Sequence, residues 1–135
     1  RNNTRNMLQR RLMQLPSVEC ALYLDHADET SEHLFWNCPF TLSCWDSIIP
    51  NRQRGISSYD EILLAMSQLP PTFVLEIIVM GCWATWSIRN DKIFRQAAIS
   101  IDNWKFYLQE GLWACQLRAK QGKADRIRAW AELNL

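Results

Sequence analysis

Histidine and glycine are scarce in this chain, and their scarcity removes most catalytic readings before any motif is sought. The 135 residues include two histidines and four glycines. Nucleophilic and general-base catalysis need a base held beside the reacting group. His26 and His33 are the sole imidazoles, and neither belongs to a nucleophile elbow or a metalloprotease motif. No glycine-rich loop is present to cradle a phosphate, so the expectation is that the chain is not an enzyme. Long apolar runs are also missing. The greasiest stretch, Phe73 to Ile88, is interrupted by Glu76 and is shorter than the roughly 20 residues that span a bilayer, which predicts a buried helix. No basic-then-apolar leader opens the chain, and its first residue is Arg1. It is therefore expected to be a piece of something longer, without a signal peptide. The five cysteines are an odd number without the dense spacing of a secreted scaffold. That argues for a reducing, intracellular setting, nucleus or cytoplasm, and against a disulfide framework.

What is present is apolar bulk: 48% of the residues are hydrophobic and seven are tryptophan. A chain of this length has room for one domain, residues 1–135, with a sizeable core. Tryptophan rings bury roughly 150–250 Å² each, so they can dominate that core or form an interface. The formal net charge of +1 hides a polarised distribution. Arg5, Arg10 and Arg11 lie near the front, and Lys120, Lys123 and Arg126 near the end. Between them, Glu19, Asp25, Asp28, Glu29 and Glu32 form an acidic stretch that repels phosphate. Any nucleic acid would meet the basic ends. The ordinary alternative is that these are solvated helix faces.

Read in order, the periodicity predicts a mainly α, single-domain fold of six to seven helices without a convincing sheet. Thr4 to Leu15 sets Leu8, Leu12 and Leu15 on one face of an amphipathic helix that ends before Pro16. Val18 to Leu24 reads as a short extended stretch. Thr30 or Ser31 can cap a helix from Glu32, with His33 in its first turn. Pro39 suits the first position of a helix with Phe40, Cys44, Trp45, Ile48 and Ile49 facing inward. Residues 51–57 form a loop, and Ser58-x-x-Glu61 reads as a capping box for a helix to Gln68 with Ile62, Leu63 and Met66 inward. The longest helix spans Thr72 to about Gln96. Within it Trp83, Trp86, Asn90 and Ile93 share a face; rings at that spacing belong to a core more often than to a base-stacking platform. Ser100 caps the next helix, with Trp104, Leu108, Leu112 and Cys115 as its stripe, weakened at Gly111 and ended near Gly122. Lys123 to Leu133 forms the last, with Ile127, Trp130 and Leu133 inward and Arg126 and Arg128 outward.

One segment gathers soft-metal ligands: Cys20 to Cys38, which holds Cys20, His26, His33 and Cys38. A structural zinc site takes four Cys or His groups in a tetrahedron, usually as two close pairs. The second pair is intact as His33-x4-Cys38. The first needs a cysteine at position 23, where Tyr23 stands, a phenol with a pKa of about 10 and a poor ligand. Two readings follow. In one, Cys20, His33 and Cys38 hold Zn²⁺ and His26 or a water completes the shell. In the other, favoured by the ligand count, the site has decayed and Tyr23, Phe35, Trp36 and Cys38 pack as an apolar cluster.

The order of features carries a resemblance. Thr4-Arg5-Asn6-Met7-Leu8-Gln9-Arg10-Arg11, Cys20-Ala21-Leu22, Glu29-Thr30-Ser31-Glu32-His33-Leu34-Phe35-Trp36-Asn37-Cys38-Pro39-Phe40 and Trp45 together resemble the zinc-binding domain that follows the reverse transcriptase in plant LINE-type retrotransposons. Trp83-Ala84-Thr85-Trp86-Ser87-Ile88-Arg89-Asn90-Asp91-Lys92-Ile93-Phe94 is similar to the Trp-rich helix downstream of that knuckle. The likeness divides the chain into a degenerate zinc-binding region, 1–50, and a Trp-rich helical region, 51–135. It implies Cys20, His33 and Cys38 as ligand positions, with Tyr23 departing from the family's Cys-x2-Cys. It also implies an accessory module that helps a reverse transcriptase hold RNA or DNA and does no chemistry itself. A second expectation stands beside it: a host-retained helical interaction module, self-associating or binding a protein partner through a face that includes Trp83 and Trp86.

Overall fold

A proline and a capping serine set two of the helix starts. The computed structural model describes residues 4, 19–22, 27–51 and 58–135. Of the expected first helix only Thr4, which is buried, falls within them, so Arg5, Arg10, Arg11 and the stripe Leu8, Leu12 and Leu15 lie outside the described residues. The same holds for Tyr23, Leu24 and His26. Among the described residues six helical elements follow one another: a π-helical turn His33–Asn37, then α1 Pro39–Ile48, α2 Ser58–Ser67, α3 Val74–Arg95, α4 Ile101–Arg118 and α5 Gln121–Asn134. Among the described residues the extended structure is one isolated antiparallel bridge, Glu19 to Asp28. The fold is mainly α, as the periodicity predicts. Pro39 starts α1 at a position where a missing N–H costs nothing. Ser100 Oγ accepts from Asn103 N–H at 3.1 Å and caps α4.

The core is a layer of tryptophan between helices. α3 and α4 run antiparallel, with Trp104 Nε1 donating to Thr85 Oγ1 at 3.0 Å and Thr85 Oγ1 donating to the Gly81 carbonyl at 3.2 Å. Trp45 of α1 stacks on Trp36 at 5.2 Å and meets Trp104 edge-on at 5.4 Å. Its Nε1 donates to the Phe35 carbonyl at 2.9 Å. Each buried ring thus places its polar atom on a partner, as burial requires. Gly81 is where Trp45 reaches α3: a Cβ there would overlap the indole ring. Gly111, a weak point of α4 by propensity, plays the matching part between helices, since a Cβ there would lie 2.6 Å from Met80 Sδ. Close helix approach outweighs propensity at both sites.

Two inward assignments and one helix end are corrected. Leu63 is exposed, and Ala65 and Leu69 are buried in its place. Leu133 is also exposed; α5 buries Ile127 and Ala131, one helical turn apart, and Leu133 falls about 160° from Ala131 around the axis. Gly122 does not end α4, which stops at Arg118 with Ala119 extended; it lies in the first turn of α5. The end of α3 carries no glycine either. Gln96 adopts the left-handed conformation (φ 52°) and Ala97 N–H bonds the Asp91 carbonyl at 3.1 Å.

Candidate metal centre

Two short devices bring the ligand residues together. Cys20 N–H donates to the Ala27 carbonyl at 2.8 Å, closing the loop that returns the chain to Asp28. Thr30 Oγ1 then accepts from His33 N–H at 3.0 Å, so Thr30 caps the turn that carries the histidine. In α-helical geometry His33 and Cys38, five residues apart, would diverge by about 140° around the axis. The wider π turn narrows that divergence: Cys38 N–H bonds the His33 carbonyl at 2.6 Å, an i to i+5 closure.

The result is a cluster in which one atom each from Cys20, His33 and Cys38 lies within 4.8 Å of the others. Cys20 Sγ and Cys38 Sγ are 3.9 Å apart. Two thiolates on a tetrahedral ion with bonds of about 2.3 Å sit about 3.8 Å apart, so the pair is already spaced for a metal. Both cysteines are buried, and His33 is half-buried. His33 Nε2 is the one buried side-chain nitrogen or oxygen among the described residues without a hydrogen-bond partner. An imidazole with an orphaned nitrogen, grouped with two converging sulfurs, is the kind of donor set a soft metal takes. The group could hold a metal ion.

Electrostatics favour a thiolate here. A hydrogen bond from Cys20 lowers the Cys38 thiol to about 6, and backbone N–H groups of Thr41 and Phe40, at the start of α1, add to it. The same Cys38 contact, with burial, pushes Cys20 up. The pair therefore shares one proton and releases the other readily. The remaining cysteines differ: burial pushes Cys44 up and Cys82 up to about 12, with no sulfur or imidazole partner in the cluster.

Other predicted site residues fall elsewhere. Lys120 and Arg126 are exposed, and Lys123 forms an ion pair with Glu76 at 2.6 Å. Trp83 is exposed and meets Tyr107 edge-on at 5.6 Å; Trp86 is half-buried beneath the Arg89 guanidinium, 4.6 Å from the ring centre. Sequence reasoning missed one residue pair. Glu29, read as part of an acidic surface, is fully buried and takes two hydrogen bonds from Arg89, at 2.8 and 3.1 Å. The signal was available: from Val74 to Ile88 the sole charge is Glu76, so Arg89 ends an apolar run and needs a counter-charge. This pair ties the knuckle to α3. In comparisons with family models, curated proteins and solved structures, nothing matches this chain.

Proposed function

We propose that the chain is a non-catalytic module that binds one Zn²⁺ at Cys20, His33 and Cys38 and derives from the nucleic-acid-holding accessory of a retrotransposon reverse transcriptase. The observation that carries the metal half is the grouping of a His33 ring nitrogen within 4.8 Å of two sulfurs 3.9 Å apart, on an imidazole whose buried Nε2 has no hydrogen-bond partner. Zinc suits a sulfur- and imidazole-rich set better than magnesium or calcium, which take oxygen ligands. Its role is structural, holding the Cys20 hairpin to the π turn, with His26 or a water as fourth ligand. The nucleic-acid half rests on the family resemblance and on the basic residues at both ends. Of these, Lys120 and Arg126 are exposed. Binding of this kind is weak, tolerant of sequence and steeply salt-dependent. No helix among the described residues is long and apolar enough to cross a membrane.

Metal analysis of the purified chain tests the first half: one zinc per chain, lost in both Cys20→Ser and His33→Ala. A folded chain without metal sinks it. For the second half, single-stranded RNA affinity measured from about 50 to 200 mM salt should fall with a log–log slope of about −0.7 per phosphate contact. An affinity unmoved by salt rules it out. A second reading, an interaction module, is favoured by one observation: Leu75, Val79, Trp83 and Phe94 are all exposed along the outer side of α3.

A further inference from the structure

The outer face of α3 has a pattern that exposure alone does not explain. Leu75, Val79 and Phe94 are 63%, 56% and 76% exposed, and Trp83 42%. Trp86 and Asn90 are half-buried on the same side. At 100° per residue these six positions fall within an arc of about 100°, opposite the buried Ile77, Ala84 and Ile88. Their spacing is 4, 4, 3, 4, 4, which reads the same from either end. Only an antiparallel pairing of the helix with itself uses that symmetry. A two-fold axis between Ala84 and Thr85 sets Leu75 against Phe94 of a second copy, Val79 against Asn90, and Trp83 against Trp86.

We infer that α3 is the interface of a two-fold, antiparallel homodimer of this chain. The inference rests on reading this face as an interaction surface. Charge supports an identical partner. Glu76, the sole charge from Val74 to Ile88, is engaged by Lys123, and Arg89 is turned inward to Glu29. The stripe therefore offers nothing to phosphate or to a charged peptide, whereas a neutral copy of itself pairs without unmatched charge. The central rings are pre-positioned, Trp83 by Tyr107 and Trp86 by Arg89. Between them runs an open groove of about 310 Å³ lined by Ile78, Val79, Cys82, Trp83 and Trp86, into which a ring of the second copy fits. From the fractional exposures, the six side chains contribute roughly 500–600 Å² per chain, so a dimer buries about 1,100 Å² in all, just above the threshold of about 1,000 Å² for a specific interface. The association is accordingly weak, in the micromolar range.

Sedimentation of the full chain over roughly 5 to 500 µM, the span in which an interface of this size exchanges, tests it. The mass should rise from 15.9 kDa towards twice that value. Trp83→Glu should weaken association at least ten-fold with an unchanged circular dichroism spectrum. Leu75→Lys/Phe94→Lys, at more exposed positions, should do the same if Trp83→Glu misfolds. With Cys82 and Cys115 replaced by serine, oxidation should cross-link Val79→Cys/Asn90→Cys but not Val79→Cys alone; cross-linking of Val79→Cys alone means a parallel pair and overturns the geometry. A monomer at the highest concentration overturns the dimer. If that monomer binds an apolar dye, and Trp83→Glu abolishes the binding, the face remains an interaction surface for another occupant. If it binds none, the face is not an interaction surface, and the interaction reading falls too.

Discussion

Removing Glu29 should cost this fold more than removing any exposed charge. Its carboxylate is fully buried and doubly bonded to Arg89, whose side chain is 6% exposed. Sixty positions separate them, so the pair closes a long loop between the knuckle and α3. In Glu29→Ala the guanidinium loses its counter-charge while Trp86 and Asn90 hold it in place, Asn90 through a 2.8 Å hydrogen bond. An uncompensated buried charge costs about 3–5 kcal/mol, a large part of the 5–15 kcal/mol typical of a domain. Replacing both partners with apolar residues of similar volume, Glu29→Leu/Arg89→Met, removes the desolvation cost with the attraction and should return stability to within about 2 kcal/mol of the parent. Guanidinium denaturation followed by tryptophan fluorescence measures Glu29→Ala, the double variant and its two singles, Glu29→Leu and Arg89→Met, since Trp86 lies beneath Arg89. Should Glu29→Ala cost under 1 kcal/mol, or the double variant cost the sum of the singles, the coupling argued here does not exist.

Gly81→Ala forces a methyl into the Trp45 ring, which Trp36 and Trp104 hold on two sides, and should cost about 1–3 kcal/mol; an unchanged denaturation midpoint would mean the ring moves freely. Gln96→Gly should stabilise by about 1 kcal/mol, because Gln96 occupies a left-handed conformation that glycine adopts without strain, and a lower midpoint would contradict that. The thiol pair should impose a peaked pH profile on the metal-free chain. Folded, Cys38 ionises near pH 6 and Cys20 holds its proton, whereas unfolded thiols titrate near about 8.5. From pH 6 to about 8.5 the unfolded chain binds more protons and stability rises; at higher pH it binds fewer and stability falls. Urea midpoints at three pH values show this, and Cys38→Ser should flatten the rise.

Helix positions were legible because apolar spacing and proline punctuation act locally. Pro39, Ser100 and the Trp104, Leu108, Leu112 stripe each fix an element from within a few residues. What was hidden depended on partners far along the chain. Gly111 read as a weakness because Met80 cannot be seen beside it in sequence, and Leu133 read as core because a single-helix pattern cannot say which arc meets α4. Glu29 looked like surface charge until folding placed Arg89 against it. In the candidate centre, the residues that come together were legible and their geometry was not: His33-x4-Cys38 converges because the turn is π-helical, a choice that ordinary α-helical periodicity argues against.

That geometry also predicts how metal and fold are coupled. Small zinc domains whose ligands sit on otherwise unsupported loops unfold when stripped. Here each neighbouring element has its own anchor: Thr30 caps the turn, Thr41 Oγ1 donates to the Leu34 carbonyl at 2.7 Å, Trp45 holds the Phe35 carbonyl, and Glu29 is bound to α3. The ligands converge through these bonds, so the body should outlast the ion. Chelation should leave the helical circular dichroism within about a tenth of its starting value, since the helices from Pro39 onward bury their own core. Loss should concentrate in amide exchange around Cys20 and in alkylation of Cys20 and Cys38. Cooperative unfolding of the whole chain on chelation would mean that zinc, and not the Glu29–Arg89 pair, joins the knuckle to the helices.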